Sequence, residues 1–284
     1  MIFSKTDKQN YDAWLHWNIS SQCNFDCEYC FGKTPFVKQT INSIDIEKLI
    51  QTLDKTGKTF RISFTGGEPF LIPNIVEACI EITKKHFVSF NTNLVLPSVK
   101  EFAESILQER ILFIHASLHI SELQKLSLID KFIANFNLLR NSRFKVFAEA
   151  VAHPSIDEND INYFRDYLMK HGISFSFGPF IGKYNNKAYP KSYSTDELEK
   201  FNLENENMNM FKQKGNICNA GLNVAAVYPT GNVHSCFQVK EKLGNIYSEI
   251  NFNNEPTICP AVNCDCPLNF YDPHLFKKVT DKSS

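Results

Sequence analysis

The stretch AWLHWNISSQCNFDCEYCFGK, residues 13–33, joins an apolar segment to three closely spaced cysteines. Residues 13–19 combine aromatic and β-branched side chains, which is typical of a strand. We therefore expect Cys23, Cys27 and Cys30 on the loop that follows the strand, at its C-terminal end. In parallel α/β folds, active sites gather at this end of the strands.

Further β-rich segments alternate with amphipathic segments as far as residue 180, which predicts repeated βα units. The near-continuous apolar character of the strands predicts a parallel sheet covered on its outer face. We expect an α/β fold built as a partial (β/α)6 barrel, open on one side, with a small C-terminal cysteine-rich domain. The expected strands are 13–19, 59–65, 87–92, 111–118, 144–152 and 173–180, and the expected helices are 44–56, 73–85, 98–109, 121–140 and 158–171.

Local signals mark several element ends. Pro73 and Pro97 suit helix N-termini, and Ser121 with Gln124 predicts a capping box. A further helix is expected near Ser194, capped by Glu197. The segment VAAVYPTGNVHSCF predicts a β-hairpin that turns at Thr230–Gly231.

The character of the sequence changes after the sixth predicted strand, where a polar, turn-rich stretch begins. We expect a barrel over residues 11–182, a linker and helix over 183–214, and a cysteine-rich domain over 215–275.

The charge balance argues against nucleic acid or an anionic membrane surface as a partner, because 30 Lys and Arg nearly match 31 Asp and Glu. No stretch approaches the roughly 20 apolar residues needed to span a bilayer, and the start lacks the apolar region of a signal peptide. We expect a cytoplasmic protein.

Eight of the nine cysteines fall into two groups, and in a reducing compartment clustered thiols more often hold metal than form disulfides. Cys79 stands apart and is expected to be buried on an apolar helical face. That face is predicted to carry also Ile72, Ile75, Val76, Ile80 and Thr83. Three thiolates on one short loop suit three corners of a [4Fe–4S] cluster and leave the fourth iron open. The alternative is a structural zinc site, whose fourth ligand would be His16 or a distant residue.

The segment FTGGEPF, Phe64 to Phe70, follows the second predicted strand at the same end of the sheet. Two glycines allow the backbone to approach a ligand closely, and Glu68 offers a carboxylate to an ammonium group. Together with the three-cysteine loop, this segment resembles the radical S-adenosylmethionine (SAM) superfamily. The resemblance implies that Cys23, Cys27 and Cys30 bind the cluster and that Gly66, Gly67 and Glu68 hold the SAM amino group.

The same resemblance implies further SAM contacts. Tyr29 would lie near the adenine. At the end of strand 3, Thr92 and Asn93 match a Thr-Asn-Gly pattern, but Leu94 replaces its glycine. Ser117 is expected to contact the SAM carboxylate or ribose.

The sequence leaves the roles of two other polar residues near the strand ends open. His119 replaces the aspartate of a Ser-Leu-Asp pattern, so that either SAM, substrate or an ordinary polar role suits it. For Glu149, a SAM contact competes with a water-facing carboxylate.

The second cysteine group resembles the SPASM and twitch auxiliary-cluster domains, in which a glycine turn lies between two iron-ligating cysteines. Here Gly231 lies between Cys218 and Cys236, and five thiols favour the shorter twitch form with one [4Fe–4S] cluster. The ligands are expected to be Cys218, Cys236, Cys259 and Cys264, with Cys266 in competition. A zinc site is the alternative, and loop surface is the default role of His234 and His274.

The resemblance implies an enzyme that reductively cleaves SAM to a 5′-deoxyadenosyl radical, which abstracts hydrogen from a small molecule or peptide. One auxiliary cluster would support oxidation, ring formation or epimerisation. The implied cofactors are SAM and two [4Fe–4S] clusters, and the implied partner is a flavodoxin- or ferredoxin-type electron donor. Strand 1 is expected to begin near residue 13, which leaves no room for an N-terminal leader-binding domain. This favours a small molecule, or a peptide bound without such a domain, as the substrate. A non-catalytic zinc- or cluster-binding module is the alternative.

Overall fold

The computed structural model describes residues 11–30, 41–204, 214–261 and 275. Within those residues, the first part of the chain contains six strands and six α-helices, with one helix between successive strands except for two between the fourth and the fifth. A seventh helix and short strands follow. The six strands are Ala13–Ser20 (β1), Phe60–Gly66 (β2), Phe87–Thr92 (β3), Ile111–Ser117 (β4), Val146–Ala152 (β5) and Phe175–Pro179 (β6). The helices are Ile46–Lys55 (α1), Ile75–Thr83 (α2), Ser98–Ser105 (α3), Ile120–Lys125 (α4), Ile129–Asn141 (α5), Glu158–Lys170 (α6) and Thr195–Phe201 (α7).

The later strands are shorter than the first six, at two to four residues each. They are Gly182–Tyr184 (β7), Lys187–Tyr189 (β8), Ile217–Cys218 (β9), Val224–Val227 (β10), Asn232–His234 (β11), Lys242–Asn245 (β12), Glu249–Ile250 (β13) and Thr257–Ile258 (β14).

Strands β1 to β6 are parallel and lie side by side in chain order. This arrangement confirms the predicted parallel α/β sheet. It follows from short strands joined by amphipathic helices, because a parallel pair requires a crossover connection.

The hairpin formed by β10 and β11 extends this sheet. Strand β10 pairs with β1 in parallel, with Trp14 opposite Val224 and Trp17 opposite Val227. The order within the described residues is β13-β12-β11-β10-β1-β2-β3-β4-β5-β6. Part of the segment predicted as a cysteine-rich domain therefore shares its sheet with the βα units.

Two helices differ from their predicted ranges. The predicted helix 121–140 is divided into α4 and α5, because the chain turns at residues 126–128 and Ser127 adopts a φ of 54°. Helix α3 ends at Ser105, and Ile106 is extended.

The predicted capping box of Ser121 and Gln124 is wrong. Helix α4 starts at Ile120 with His119 at the N-cap, because the chain turns into the helix within two residues of the end of β4. Ser121 therefore lies inside the first turn. The capping box of Ser194 and Glu197 is confirmed.

The two faces of the main sheet differ in burial. Along β1, Leu15, Trp17 and Ile19 are fully buried on the outer face, whereas His16 and Asn18 on the other face are partly exposed. The same alternation follows β4 and β5. We call the second face the inner face. It carries His16, Asn18, Thr65, Asn91, His115 and Glu149, which the strand register places on one side.

The helices in the described ranges are all too short or too polar to serve as a membrane-spanning segment.

Candidate functional site

The three cysteines of the first group lie on the loop that leaves β1. Within the described residues none of the three forms a disulfide, and the N–H of Cys30 donates to the carbonyl of Cys27 over 3.2 Å. Burial, followed by the nearby Cys30 thiol, raises the pKa of Cys27 to about 12. The three thiols are therefore close neighbours whose thiolate forms repel one another.

This donor set fits an iron–sulfur cluster. The N–H of Phe25 donates to Cys23 Sγ over 3.4 Å, and Asn93 Nδ2 lies 3.9 Å from the same sulfur. Hydrogen bonds to cluster sulfurs are among the features that tune such centres. Burial also raises the pKa of Cys23, so bound iron would supply the positive charge that the thiolates need. Within the described ranges, no three His, Cys, Asp or Glu side chains come together as a site for a single metal ion.

The glycine-containing loop after β2 packs directly on the cysteine loop. The N–H of Gly67 donates to the carbonyl of Ser20 over 2.6 Å, and the N–H of Glu68 donates to the carbonyl of Gln22 over 2.8 Å. A Cβ at Gly67 would lie 1.8 Å from the Gln22 oxygen. Gly66 adopts a φ of 122°, which disfavours other residues. Both glycines are thus explained by the close contact with the cysteine loop. This explanation is additional to the predicted close approach of the backbone to a ligand.

Glu68 joins the ends of β2 and β3. Its carboxylate accepts hydrogen bonds from Thr92 Oγ1 over 2.8 Å, from the N–H of Asn93 over 2.7 Å and from the N–H of Phe70 over 3.0 Å. Only 1% of the residue is exposed. Burial raises the pKa of Glu68 to about 7, although the three hydrogen bonds act in the opposite direction. The contact with the SAM amino group stays a prediction.

Asn93 and Leu94 close the same corner. Asn93 Nδ2 donates to Asn24 Oδ1 over 2.8 Å, so the end of β3 also holds the cysteine loop. Leu94, which replaces the expected glycine, adopts a φ of 64° and is fully buried. The left-handed conformation costs about 1–2 kcal/mol for a non-glycine residue. Burying a leucine side chain recovers a similar amount.

Tyr29 is held by His119 at the start of α4. Its hydroxyl lies 3.0 Å from His119 Nδ1, and its ring stacks on the His119 ring at 6.0 Å. Burial raises the pKa of Tyr29 and lowers that of His119 to about 4, so both side chains are neutral near pH 7. One helical turn later, Glu122 Oε2 accepts from the N–H of Asp26 over 3.1 Å. Sequence reasoning missed Glu122 and Asn24, and the i, i+3 spacing of His119 and Glu122 was the available signal.

Ser117 and Glu149 are cross-strand neighbours at the end of β4 and β5, both partly exposed. Glu149 Oε1 lies 3.6 Å from His115 Nε2. His115 was not predicted as a site residue, although it is a polar residue inside the apolar run of β4.

The second cysteine group gathers in a different apolar cluster from the one that contains Cys27. Cys218, Cys236 and Cys259 are buried together in one apolar cluster that also contains Trp14 and Leu275. The N–H of Val239 donates to Cys236 Sγ over 3.1 Å. The two remaining predicted ligands, Cys264 and Cys266, and also His274, lie outside the described residues.

The hairpin turn that separates two of these cysteines needs its glycine. Gly231 adopts a φ of 80°, and a Cβ there would lie 2.7 Å from the Tyr247 ring. His234 follows on β11 and packs against the Tyr228 ring at 5.0 Å.

Cys79, the remaining cysteine of the described residues, is fully buried in α2, as predicted. Its neighbour Ile80 is 37% exposed, so the predicted apolar face is narrower than expected.

The described sheet thus carries a thiol loop and a glycine loop at the ends of the adjacent parallel strands β1 and β2. The sequence profile of the Radical SAM superfamily matches residues 17–168, more than half of the chain. The chain therefore belongs to the Radical SAM superfamily, which implies SAM and a [4Fe–4S] cluster as cofactors.

Individual relatives are distant. A GTP 3′,8-cyclase of Aliarcobacter butzleri (strain RM4018) is 22% identical over 199 residues, which cover 66% of this chain and 61% of that protein. This chain thus spans about three fifths of the length of the first curated relatives that it matches.

Solved structures show a similar fold. Native anSMEcpe with bound AdoMet has a TM-score of 0.59 at 20% identity and covers 82% of this chain and 77% of its own. Streptococcus suis SuiB bound to precursor peptide SuiA has a TM-score of 0.55 at 18% identity and covers 94% of this chain and 66% of its own. These likenesses support an α/β fold with a parallel sheet like that of radical SAM enzymes.

Proposed function

We propose that this chain is a radical SAM oxidoreductase that uses the loop after β1 and the loop after β2 as one cofactor site. The observation that carries the proposal is the direct pairing of the two loops, in which Gly67 and Glu68 donate to the carbonyls of Ser20 and Gln22. The pairing fixes a set of three thiols against a glycine turn at the C-terminal end of the sheet.

The residues would act as follows. Cys23, Cys27 and Cys30 hold the first [4Fe–4S] cluster, and Gly66, Gly67, Glu68, Asn93, Ser117 and Tyr29 hold SAM. When bound, this cluster and SAM supply a 5′-deoxyadenosyl radical that abstracts hydrogen from the substrate. Buried Glu68 and Asn93 keep the two loops in register, and the inner face carries the substrate.

The second cysteine group would hold one auxiliary [4Fe–4S] cluster in a twitch-like segment. Three buried thiols in one apolar cluster support this part of the proposal. The ligands are Cys218, Cys236 and Cys259 with Cys264 or Cys266. The six βα units would form a partial (β/α)6 barrel over residues 11–182, followed by a linker and helix over 183–214 and the auxiliary segment over 215–275.

The substrate would be a small molecule or peptide, oxidised, closed into a ring or epimerised with help from the auxiliary cluster. A peptide agrees with the precursor peptide bound to SuiB, and ring formation agrees with the name of the cyclase relatives. A flavodoxin- or ferredoxin-type protein would deliver the electron.

The test is anaerobic purification with iron and sulfide analysis, followed by reduction with dithionite in the presence of SAM. Two clusters predict about eight iron atoms per chain. We expect 5′-deoxyadenosine from the wild type and none from Cys27→Ala, which should also lose about four iron atoms because one cluster loses a ligand.

Cys79→Ala is the matched control, since Cys79 is buried in α2 and belongs to neither group. It should keep both the iron content and SAM cleavage. A colourless zinc protein that ignores SAM, or a Cys27→Ala variant that still forms 5′-deoxyadenosine, would instead support the non-catalytic module.

A further inference from the structure

A row of polar side chains crosses the inner face directly below the two loops. The strand register places Asn18, Thr65, Asn91 and His115 opposite one another on β1 to β4. All four are partly exposed, whereas the outer-face residues between them are buried. The row therefore lines accessible space.

Hydrogen bonds along the row fix the orientation of His115. Asn91 Nδ2 donates to Thr65 Oγ1 over 3.4 Å, so Asn91 Oδ1 faces His115 Nδ1 at 3.3 Å. An amide oxygen only accepts, and His115 Nδ1 must therefore carry the proton. The His115 ring also stacks on Phe147 at 5.0 Å, with 14° between the planes.

The other ring nitrogen of His115, Nε2, is a buried acceptor on the side of the ring next to Glu149. Burial lowers the pKa of His115 to about 4, and the nearby His119 imidazole acts in the same direction, so the ring is neutral near pH 7 and Nε2 holds a lone pair. Within the described residues, this buried nitrogen has no hydrogen-bond partner. A buried polar atom without a partner costs free energy, which a ligand with an N–H or O–H recovers.

Glu149 places a second, partly exposed acceptor next to His115 Nε2. Its Oε1 lies 3.6 Å from His115 Nε2, and Gly178 on the adjacent strand makes room for it, because a Cβ there would lie 2.7 Å from this oxygen. Burial raises the pKa of Glu149. In the described part of the chain, no Lys or Arg forms an ion pair with this carboxylate.

We propose that His115 Nε2 and Glu149 form a subsite that binds a protonated amino group of the substrate. A single ammonium group donates to both acceptors and balances the carboxylate charge, whereas a carboxylate or phosphate would be repelled. The inference rests on the proposed function, because it takes the substrate to lie on the inner face below the SAM loops. The substrate class is therefore a primary amine, free or as part of an amino sugar or peptide.

The test uses the reconstituted enzyme with saturating SAM under anaerobic conditions. Binding of propylammonium, propanol and propionate is compared by saturation-transfer NMR. We expect propylammonium to bind best, and Glu149→Gln to weaken its binding at least tenfold, because a hydrogen bond to a charged group is lost. His115→Asn should also weaken the binding of propylammonium. Glu101→Gln, an exposed position on α3, is the matched control and should bind like the wild type.

Three outcomes overturn the subsite. They are no propylammonium binding to the wild type, equal binding of propionate, and unchanged binding in Glu149→Gln. A variant Glu149→Gln that loses SAM affinity instead would place Glu149 in the SAM site. Formation of 5′-deoxyadenosine by the same wild-type sample separates the two proposals: if it forms and propylammonium does not bind, the subsite alone is wrong.

Discussion

At the scale of single residues, Gly67 connects the two motifs that the sequence presents separately. Its missing side chain lets the second loop lie against Gln22, and its N–H reaches the carbonyl of Ser20. A substitution there should therefore act on the cysteine loop, about 45 positions earlier in the chain.

Gly67→Ala should lower stability by about 1–3 kcal/mol and lower the iron content, because the new Cβ forces the two loops apart. Denaturant unfolding and iron analysis measure the two effects. Gly57→Ala is the control, because Gly57 has no atom within 4 Å of the added Cβ. Its φ of 68° predicts a cost of about 1 kcal/mol with full iron content. Equal iron content in both variants would contradict the proposed contact.

Residue types and spacings predicted the cysteine and glycine loops, but not their partners. Glu68 was predicted to meet a ligand, and the structure shows its carboxylate bonded to Thr92, Asn93 and Phe70. Those bonds depend on the adjacency of β2 and β3, which no local pattern specifies. Leu94 shows the same limit, since its left-handed backbone is visible only in the folded chain.

At the scale of elements, helix α4 braces the cysteine loop. Its N-cap residue His119 meets Tyr29, and Glu122 accepts from the N–H of Asp26. The helix starts directly after β4, so the strand fixes where both side chains point. This six-residue helix thus contacts the loop at Asp26 and Tyr29, whereas the glycine turn contacts it at Ser20 and Gln22.

Glu122→Ala should release iron to a chelator several-fold faster than the wild type, because the N–H of Asp26 loses its acceptor. A hydrogen bond to a charged group contributes about 1.5–3 kcal/mol. Loss of the cluster absorbance under anaerobic conditions measures the rate.

Glu122→Gln keeps one acceptor oxygen, so its rate of iron release should lie between those of the wild type and Glu122→Ala. Lys125→Ala is the control, since it removes the other partner of Glu122 and leaves the bond to Asp26. An identical release rate in Glu122→Ala and Lys125→Ala would show that the brace has no role.

Element types followed from periodicity, while some element ends did not. All six long strands were predicted within about two residues, because buried parallel strands are strongly apolar. The break between α4 and α5 was missed, since Leu126 and Leu128 continue the apolar pattern through the turn. The start of α4 was also missed, because strand geometry rather than a capping side chain determines it.

At the scale of the whole molecule, strand β10 gives β1 a second neighbour. Val224 to Val227 are all buried, and β11 covers the far side of β10. The cysteine loop therefore leaves an interior strand of the sheet, which is a rigid base for a cofactor site.

Hydrogen exchange should protect β10 together with β1, because backbone groups in an interior strand open only with the sheet. The two-stranded β7–β8 hairpin is the internal reference and should exchange at least about tenfold faster. Mass spectrometry of peptic peptides distinguishes the three segments. If β10 exchanges as fast as β7–β8 and independently of β1, the auxiliary segment folds separately from the βα units.

The sequence by itself determined the parallel α/β class, the two cysteine groups and the glycine loop, because hydrophobic period and residue spacing are local properties of a chain. The tertiary structure decided what those residues touch. The pairing of β10 with β1, the contact of Gly67 with Gln22 and the convergence of His115 and Glu149 join residues far apart in sequence. Strand order and register create these contacts, and they depend on the packing of the whole sheet rather than on any one segment.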